Sequence, residues 1–241
     1  INTLFLDFLE NHQHLFPQQK QLIGLGNQNT HIFSEFKIVN PVDVPDEWLE
    51  GSDQYQTDDY DYGLVITTYY LGAQEFKPTK EKLTAVALYL SNLYAPSDID
   101  ITISIRKTLD GDNLTSKTLN ADEHKIKKSG RWVMFDFDDI TITPEESYYI
   151  VCSASGGLIF HSYTWFCDIE NKYSRGKAWA KDGSGDWYDL EDPGWDPEMI
   201  GIDLCFITYF QEPPKSKLSD NYTPWLFSLF QWLIKGTPYL S

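Results

Sequence analysis

The stretch Asp100-Ile101-Thr102-Ile103-Ser104-Ile105 alternates polar and apolar side chains without a break, the two-residue period of a strand with one wet face and one in a core. The same period returns where Val133, Phe135 and Phe137 alternate with Met134, Asp136 and Asp138. Outward from these two stretches, short apolar and β-branched runs predict strands over 64–70, 73–77, 84–93, 100–108, 114–119, 131–137, 148–154, 159–166, 177–181, 187–190 and 201–210. Asp110-Gly111-Asp112, Gly156-Gly157 and Asp182-Gly183-Ser184-Gly185-Asp186 separate some of them, residue types that tolerate positive φ and close hairpins. Roughly ten strands at this spacing specify an all-β, antiparallel sandwich or barrel.

The flanks read differently. Residues 1–26 carry Leu4, Phe5, Phe8 and Leu9, then Leu15 and Phe16, then Leu22 and Ile23, a helical stripe interrupted by Pro17. Thr3 caps the first helical piece, and Gly24 and Gly26 end the second. Residues 27–61 hold one strand, over 31–40, and then a long acidic loop from Pro41 to Asp61. Residues 62–210 form the β domain, and 211–241 a polar linker followed by a short apolar helix with Trp225, Leu226, Phe227, Phe230, Trp232 and Leu233. At ~25 cal/mol per Å2, hiding three or four such side chains favours docking by several kcal/mol before entropy is charged.

The 36 acidic against 19 basic residues give a formal charge of −17, which repels phosphate backbones and so argues against nucleic acid as a partner. The same surplus either recruits Ca²⁺ or keeps an exposed protein soluble. No run of about 18 apolar residues is present, so no single helix is expected to span a bilayer. Cys152, Cys167 and Cys205 lack zinc spacing. Cys152 and Cys167, on neighbouring predicted strands, are the candidate disulfide. The start at Ile1, rather than Met, and the sequons at Asn113 and Asn221 fit an exported, glycosylated chain, and the expected location is extracellular or on the cell surface.

Five stretches together order a distinctive series of strands: Ala73-Gln-Glu-Phe-Lys-Pro-Thr79; Ile103-Ser-Ile-Arg-Lys-Thr-Leu-Asp-Gly111 with Leu114-Thr-Ser116; Trp132-Val-Met-Phe-Asp-Phe137; Ile142-Thr-Pro-Glu-Glu-Ser-Tyr-Tyr-Ile-Val151; and Asp203-Leu-Cys-Phe-Ile-Thr-Tyr209. Over about residues 54–210 the chain resembles a jelly-roll-like β-sandwich module of archaeal and bacterial secreted surface proteins, some of whose relatives look like carbohydrate-binding modules. The resemblance implies a jelly roll and carries no catalytic residues. The opening Phe8-Leu-Glu-Asn-His-Gln-His-Leu-Phe-Pro17 with Gln21-Leu-Ile-Gly-Leu25 resembles a short Leu/Phe/Pro segment found beside such modules, with Gln18 and Gln19 departing from its apolar pattern.

Chemistry-bearing patterns are sparse. No GxSxG elbow, P-loop, dinucleotide glycine pattern or HExxH occurs, and the five His residues are scattered, so no catalytic constellation is expected. Asp58, Asp59 and Asp61, and Asp182 with Asp186, are the candidate Ca²⁺ ligands, with solvated turns as the alternative. Trp165, Trp179, Trp187, Tyr188 and Trp195 offer flat apolar faces for a sugar ring, with core packing as the competing role. Two functions follow. The first is an extracellular structural subunit that self-assembles through its apolar ends into a filament, sheath or surface layer, with other copies of itself as partners. The alternative is a secreted glycan-binding module.

Overall fold

The computed structural model describes residues 33–35, 44, 46–57, 62–92, 99–120, 126, 128–157, 162–168, 172–183, 185–191 and 201–212. The fold is all-β: two antiparallel sheets, with one short helix among the described residues. In chain order the elements are β1 (Phe33–Glu35), α1 (Asp46–Leu49), β2 (Ser52–Gln56), β3 (Tyr62–Ile66), β4 (Tyr70–Phe76), β5 (Lys82–Asn92), β6 (Asp100–Arg106), β7 (Asn113–Asn120), β8 (Arg131–Thr141), β9 (Tyr148–Ala154), β10 (Tyr163–Asp168), β11 (Ala178–Asp182), β12 (Trp187–Asp189), β13 (Asp203–Leu204) and β14 (Phe206–Tyr209). The first sheet runs β1-β3-β10-β5-β14-β2, with β8 added to β5 and β13 to β10; the second runs β12-β11-β4-β9-β6-β7.

The alternation that predicted β6 places Ile101, Ile103 and Ile105 opposite Ala154, Cys152 and Ile150 of β9. These side chains meet Val133, Phe135 and Phe137 of β8, with Val86, Leu88, Trp165 and Phe206, in one core shared by both sheets. That shared core gives the fold its sandwich-like form.

The first sheet is apolar on its other face too. Ala85, Ala87 and Tyr89 of β5, Trp132 of β8, Phe166 of β10, Cys205, and Ile207 and Tyr209 of β14 form a second buried cluster with Trp48 of α1. Register aligns them: Ala85 opposes Tyr209, Ala87 opposes Ile207, and Tyr89 opposes Trp132. The Tyr89 ring meets Trp132 and Phe166 edge-on, at 5.5 and 5.2 Å between centroids. Strand β5 is consequently buried from Leu83 through Ser91, a continuous run instead of an alternating one.

The structure departs from the sequence reading in several places. The stretch read as a loop over 41–61 contains α1 and β2. Strand β2 was hidden because its buried positions are Gln54 and Gln56, polar side chains that find partners inside the protein. The strand expected to reach residue 70 stops at Ile66, where Thr67 Oγ1 accepts the Tyr69 and Tyr70 N–H groups, both at 3.0 Å, and makes a turn. The strand expected over 201–210 is broken at Cys205 into β13 and β14. Both helical readings, 1–26 and the segment after 212, lie outside the described residues, with all the apolar side chains named there. Among the described residues no helix is long and apolar enough to cross a membrane.

If the first sheet is sealed on both faces, Ile207→Ala on the outer face should cost about 2–5 kcal/mol. Ser116→Ala on exposed β7 should stay within about 0.5 kcal/mol. Urea denaturation of the two variants measures the contrast.

Candidate functional site

Two places concentrate polar chemistry. The first is the β11–β12 hairpin at the edge of the second sheet. Ala178 and Ala180 of β11 enter the core, which turns Trp179 and Lys181 to the outer face. Lys181 is the register partner of Trp187, and Trp179 that of Asp189. Asp110, from the β6–β7 turn, reaches this hairpin: its Oδ1 accepts from Lys181 Nζ at 2.8 Å and from the Trp187 indole N–H at 2.9 Å. Those two hydrogen bonds hold the Asp110 carboxyl below the usual carboxylate range. Lys181 Nζ also lies 5.6 Å from the centre of the Trp187 ring. Arg106 anchors the turn, donating from Nη1 to the Leu109 carbonyl at 2.9 Å and from Nε to Asn113 Oδ1 at 2.9 Å.

At the hairpin tip the Tyr188 hydroxyl donates to Asp182 Oδ1 at 3.2 Å, and the negative charges of Asp182 and Asp186 push that phenol up. Lys177 Nζ pairs with Asp189 and Glu191, both at 2.9 Å, and these bonds raise its pKa. The result is a half-buried aromatic strip, Trp179 and Trp187, bordered by charged groups whose orientations are fixed.

The second place is buried. Asp168 at the end of β10 and Asp203 at the start of β13 are cross-strand register partners, 1% and 0% exposed. Asp168 Oδ2 accepts from the Gln56 amide at 3.1 Å, and Asp203 Oδ2 accepts from the Tyr173 backbone N–H at 2.8 Å. Gln74 of β4 accepts the Leu204 N–H at 2.7 Å, and the Tyr173 hydroxyl donates to Gln54 Oε1 at 3.1 Å. This network ties β2, β4, β10, β13 and the 172–177 connection together. Burial pushes the Asp203 carboxyl up to about 7, a rise that the nearby Asp168 and Glu191 charges reinforce and the Tyr173 N–H opposes.

The sequence-predicted residues divide accordingly. Trp165 is not a surface platform: it is wholly buried, and its indole N–H donates to the Cys205 carbonyl at 2.9 Å where β13 gives way to β14. Trp179, Trp187 and Tyr188 are half-buried on the hairpin, while Trp195 lies outside the described residues. Asp182 and Asp186 sit on the hairpin turn; Asp58, Asp59, Asp61 and Asn221 lie outside the described residues. Among the described residues no group of three or more His, Cys, Asp or Glu side chains is placed to hold a metal ion. Asn113 is exposed at the start of β7.

The candidate disulfide is corrected. Cys152 stands on β9 of the second sheet and Cys167 on β10 of the first, strands that follow one another in sequence yet belong to opposite sheets, and all three cysteines are free and buried. Burial raises the Cys152 and Cys167 thiols, which stay protonated and unreactive. Residue types alone missed Asp110 and Lys181, which meet only across turns. Asp203 did leave a signal, a lone charge between Ile202 and Leu204 in an apolar run.

No model of a known protein family matches the chain, and no curated protein matches it either. The chemistry of both places therefore rests on their own residues.

Thiol titration without reductant should find no reactive cysteine in the native protein and three after denaturation. One reactive thiol after denaturation would restore a disulfide.

Proposed function

We propose that the chain is a jelly-roll-like β-sandwich subunit of an extracellular or cell-surface assembly, joined to other copies by its apolar terminal segments. One observation carries this reading: both segments meet the body at the first sheet, whose outer face is an aromatic layer. Residues 1–32 lead into β1, an edge strand of that sheet, and the chain after residue 212 follows closely on β14. Tyr209 and Ile207 of β14 lie in the layer itself, with Tyr89, Trp132 and Phe166 alongside.

That layer is buried within the single chain, so an apolar segment of a neighbouring copy would reach it by exchange with the cover that the chain itself supplies. Exchange of such a segment between identical chains creates few new contacts and is a low-cost route to assembly. If each donor differs from its receiver, the contact propagates into a filament or layer. The net charge of −17 sets the subunits to repel one another at low salt, so added salt should favour assembly.

Electron microscopy and light scattering of the full chain and of a chain ending at residue 212 test this directly. The full chain should form polymers, and the shortened chain should stay a folded monomer. A full chain that remains monomeric at every concentration contradicts the proposal.

The hairpin favours a second reading, a glycan-binding module. Trp179 and Trp187 lie on one sheet face, and Lys181 and Asp110 supply oriented polar groups beside them. Ca²⁺, if used, would fall to Asp182 and Asp186. Trp187→Ala should then weaken retention on a glycan matrix about tenfold while leaving polymer formation unchanged. Unchanged retention on every matrix that holds the parent chain would remove this reading.

A further inference from the structure

Register sets one row of side chains across the second sheet. Trp179 of β11 is the partner of Ala73 on β4, Ala73 of Val151 on β9, Val151 of Ser104 on β6, and Ser104 of Ser116 on β7. Their strand neighbours Ala178, Ala180, Ile150, Cys152, Ile103 and Ile105 fill the core, so the row faces away from it. Even so, Ala73, Val151 and Ser104 in its middle are only 0%, 1% and 3% exposed. Ala73 and Val151 belong to neither buried apolar cluster.

The β6–β7 turn, residues 107–112, passes over this face. In the sheet order β6 and β11 are three places apart, about 14 Å at normal strand spacing. Asp110 nevertheless bonds Lys181 of β11 and Trp187 of β12, register partners that share the outer face. The turn therefore leans back across β9 and β4 to reach the hairpin. Its base is tied as well: Lys107 pairs with Glu146 and lies 4.2 Å from the centre of the Tyr148 ring, and Arg106 Nη1 donates to the Leu109 carbonyl at 2.9 Å. Lys181 Nζ and the Trp187 indole N–H converge on one Asp110 oxygen, so both donors are taken while the turn is down. The Trp179 indole N–H, at the hairpin end of the row, is buried and has no acceptor among the described residues. A buried donor without a partner is costly, and a ligand hydroxyl entering the row would relieve it.

We propose that residues 107–112 are a strap that closes the outer face of the second sheet to a glycan, with Asp110 holding the two donors that the sugar would otherwise take. The gate rests on the glycan-binding reading of the hairpin. Lifting the strap frees Lys181 Nζ and the Trp187 N–H and opens the Trp179 end of the row to a pyranose ring. A neutral sugar suits this face better than an acidic one, because Asp182, Asp186 and Asp189 lie along the hairpin and the chain carries a net charge of −17.

Two substitutions grade the latch: Asp110→Ala removes both bonds, and Asp110→Asn keeps an oxygen acceptor without the charge. Retention of the full chain and both variants on β-glucan, mannan and chitin matrices is measured, with trypsin nicking after Lys107 in parallel. Alanine should strengthen retention about tenfold, the scale of a hydrogen bond to a charged group. Asparagine should fall between alanine and the parent, and nicking should quicken in the same order. Retention of Asp110→Ala that falls or holds steady, on a matrix that keeps the parent chain, would overturn the gate and leave the glycan reading in place. Nicking no faster than the parent's would overturn it too, since Asp110 would not be what holds the strap. No retention of any of the three chains on any matrix, with nicking quickened, removes the glycan reading itself and the gate with it.

Discussion

Strand β5 is the element on which the rest of the structure depends. One of its edges is taken by β8 over Lys82 to Leu90, and the other is shared between β14 at Ala85 to Leu88 and β10 at Leu90 to Asn92. Its inward side chains Val86, Leu88 and Leu90 fill the core between the sheets, while Ala85, Ala87 and Tyr89 underlie the aromatic layer outside. A strand buried on both faces and paired along both edges has no route to water for its peptide groups, so its hydrogen bonds must all be made within the protein. The shared edge opens a fork between β10 and β14. Cys205 closes it, its N–H donating to the Phe166 carbonyl at 2.8 Å and its own carbonyl accepting the Trp165 indole.

The two sheets play different parts as a result. The first is buried on both faces around β5. The second keeps polar side chains on its far strands, with Thr102 and Thr118 hydroxyls 2.8 Å apart across β6 and β7, and carries the hairpin where Trp187 is fixed by Asp110. The aromatic layer and the hairpin thus belong to different sheets of one body, and a change at the hairpin need not disturb the layer.

Much of this was written plainly in the sequence. The Ile101, Ile103, Ile105 alternation and the Val133, Phe135, Phe137 series gave strand and buried face, because one wet face leaves a period that can be read. The same logic failed where both faces are buried or where polar groups turn inward. Gln54 and Gln56 read as loop because nothing local reveals that Asp168 and Tyr173 await them. Trp165 read as a sugar platform because its partner, the Cys205 carbonyl, is forty residues away. Cys152 and Cys167 looked adjacent because consecutive strands often pair, and here the chain instead crosses from one sheet to the other between them. The Asp110 contact with Lys181 and Trp187 depends on two turns folding toward each other, which composition does not encode.

The claim beneath all of these is that the first sheet is sealed on both sides around β5. Native-state hydrogen exchange resolved along the chain measures it most directly. Amides of residues 85–89 should exchange only through global unfolding, far more slowly than those of the exposed edge strand β7. Exchange of 85–89 at the rate of β7 would mean that the outer layer is open to water, and the account built on it would not stand.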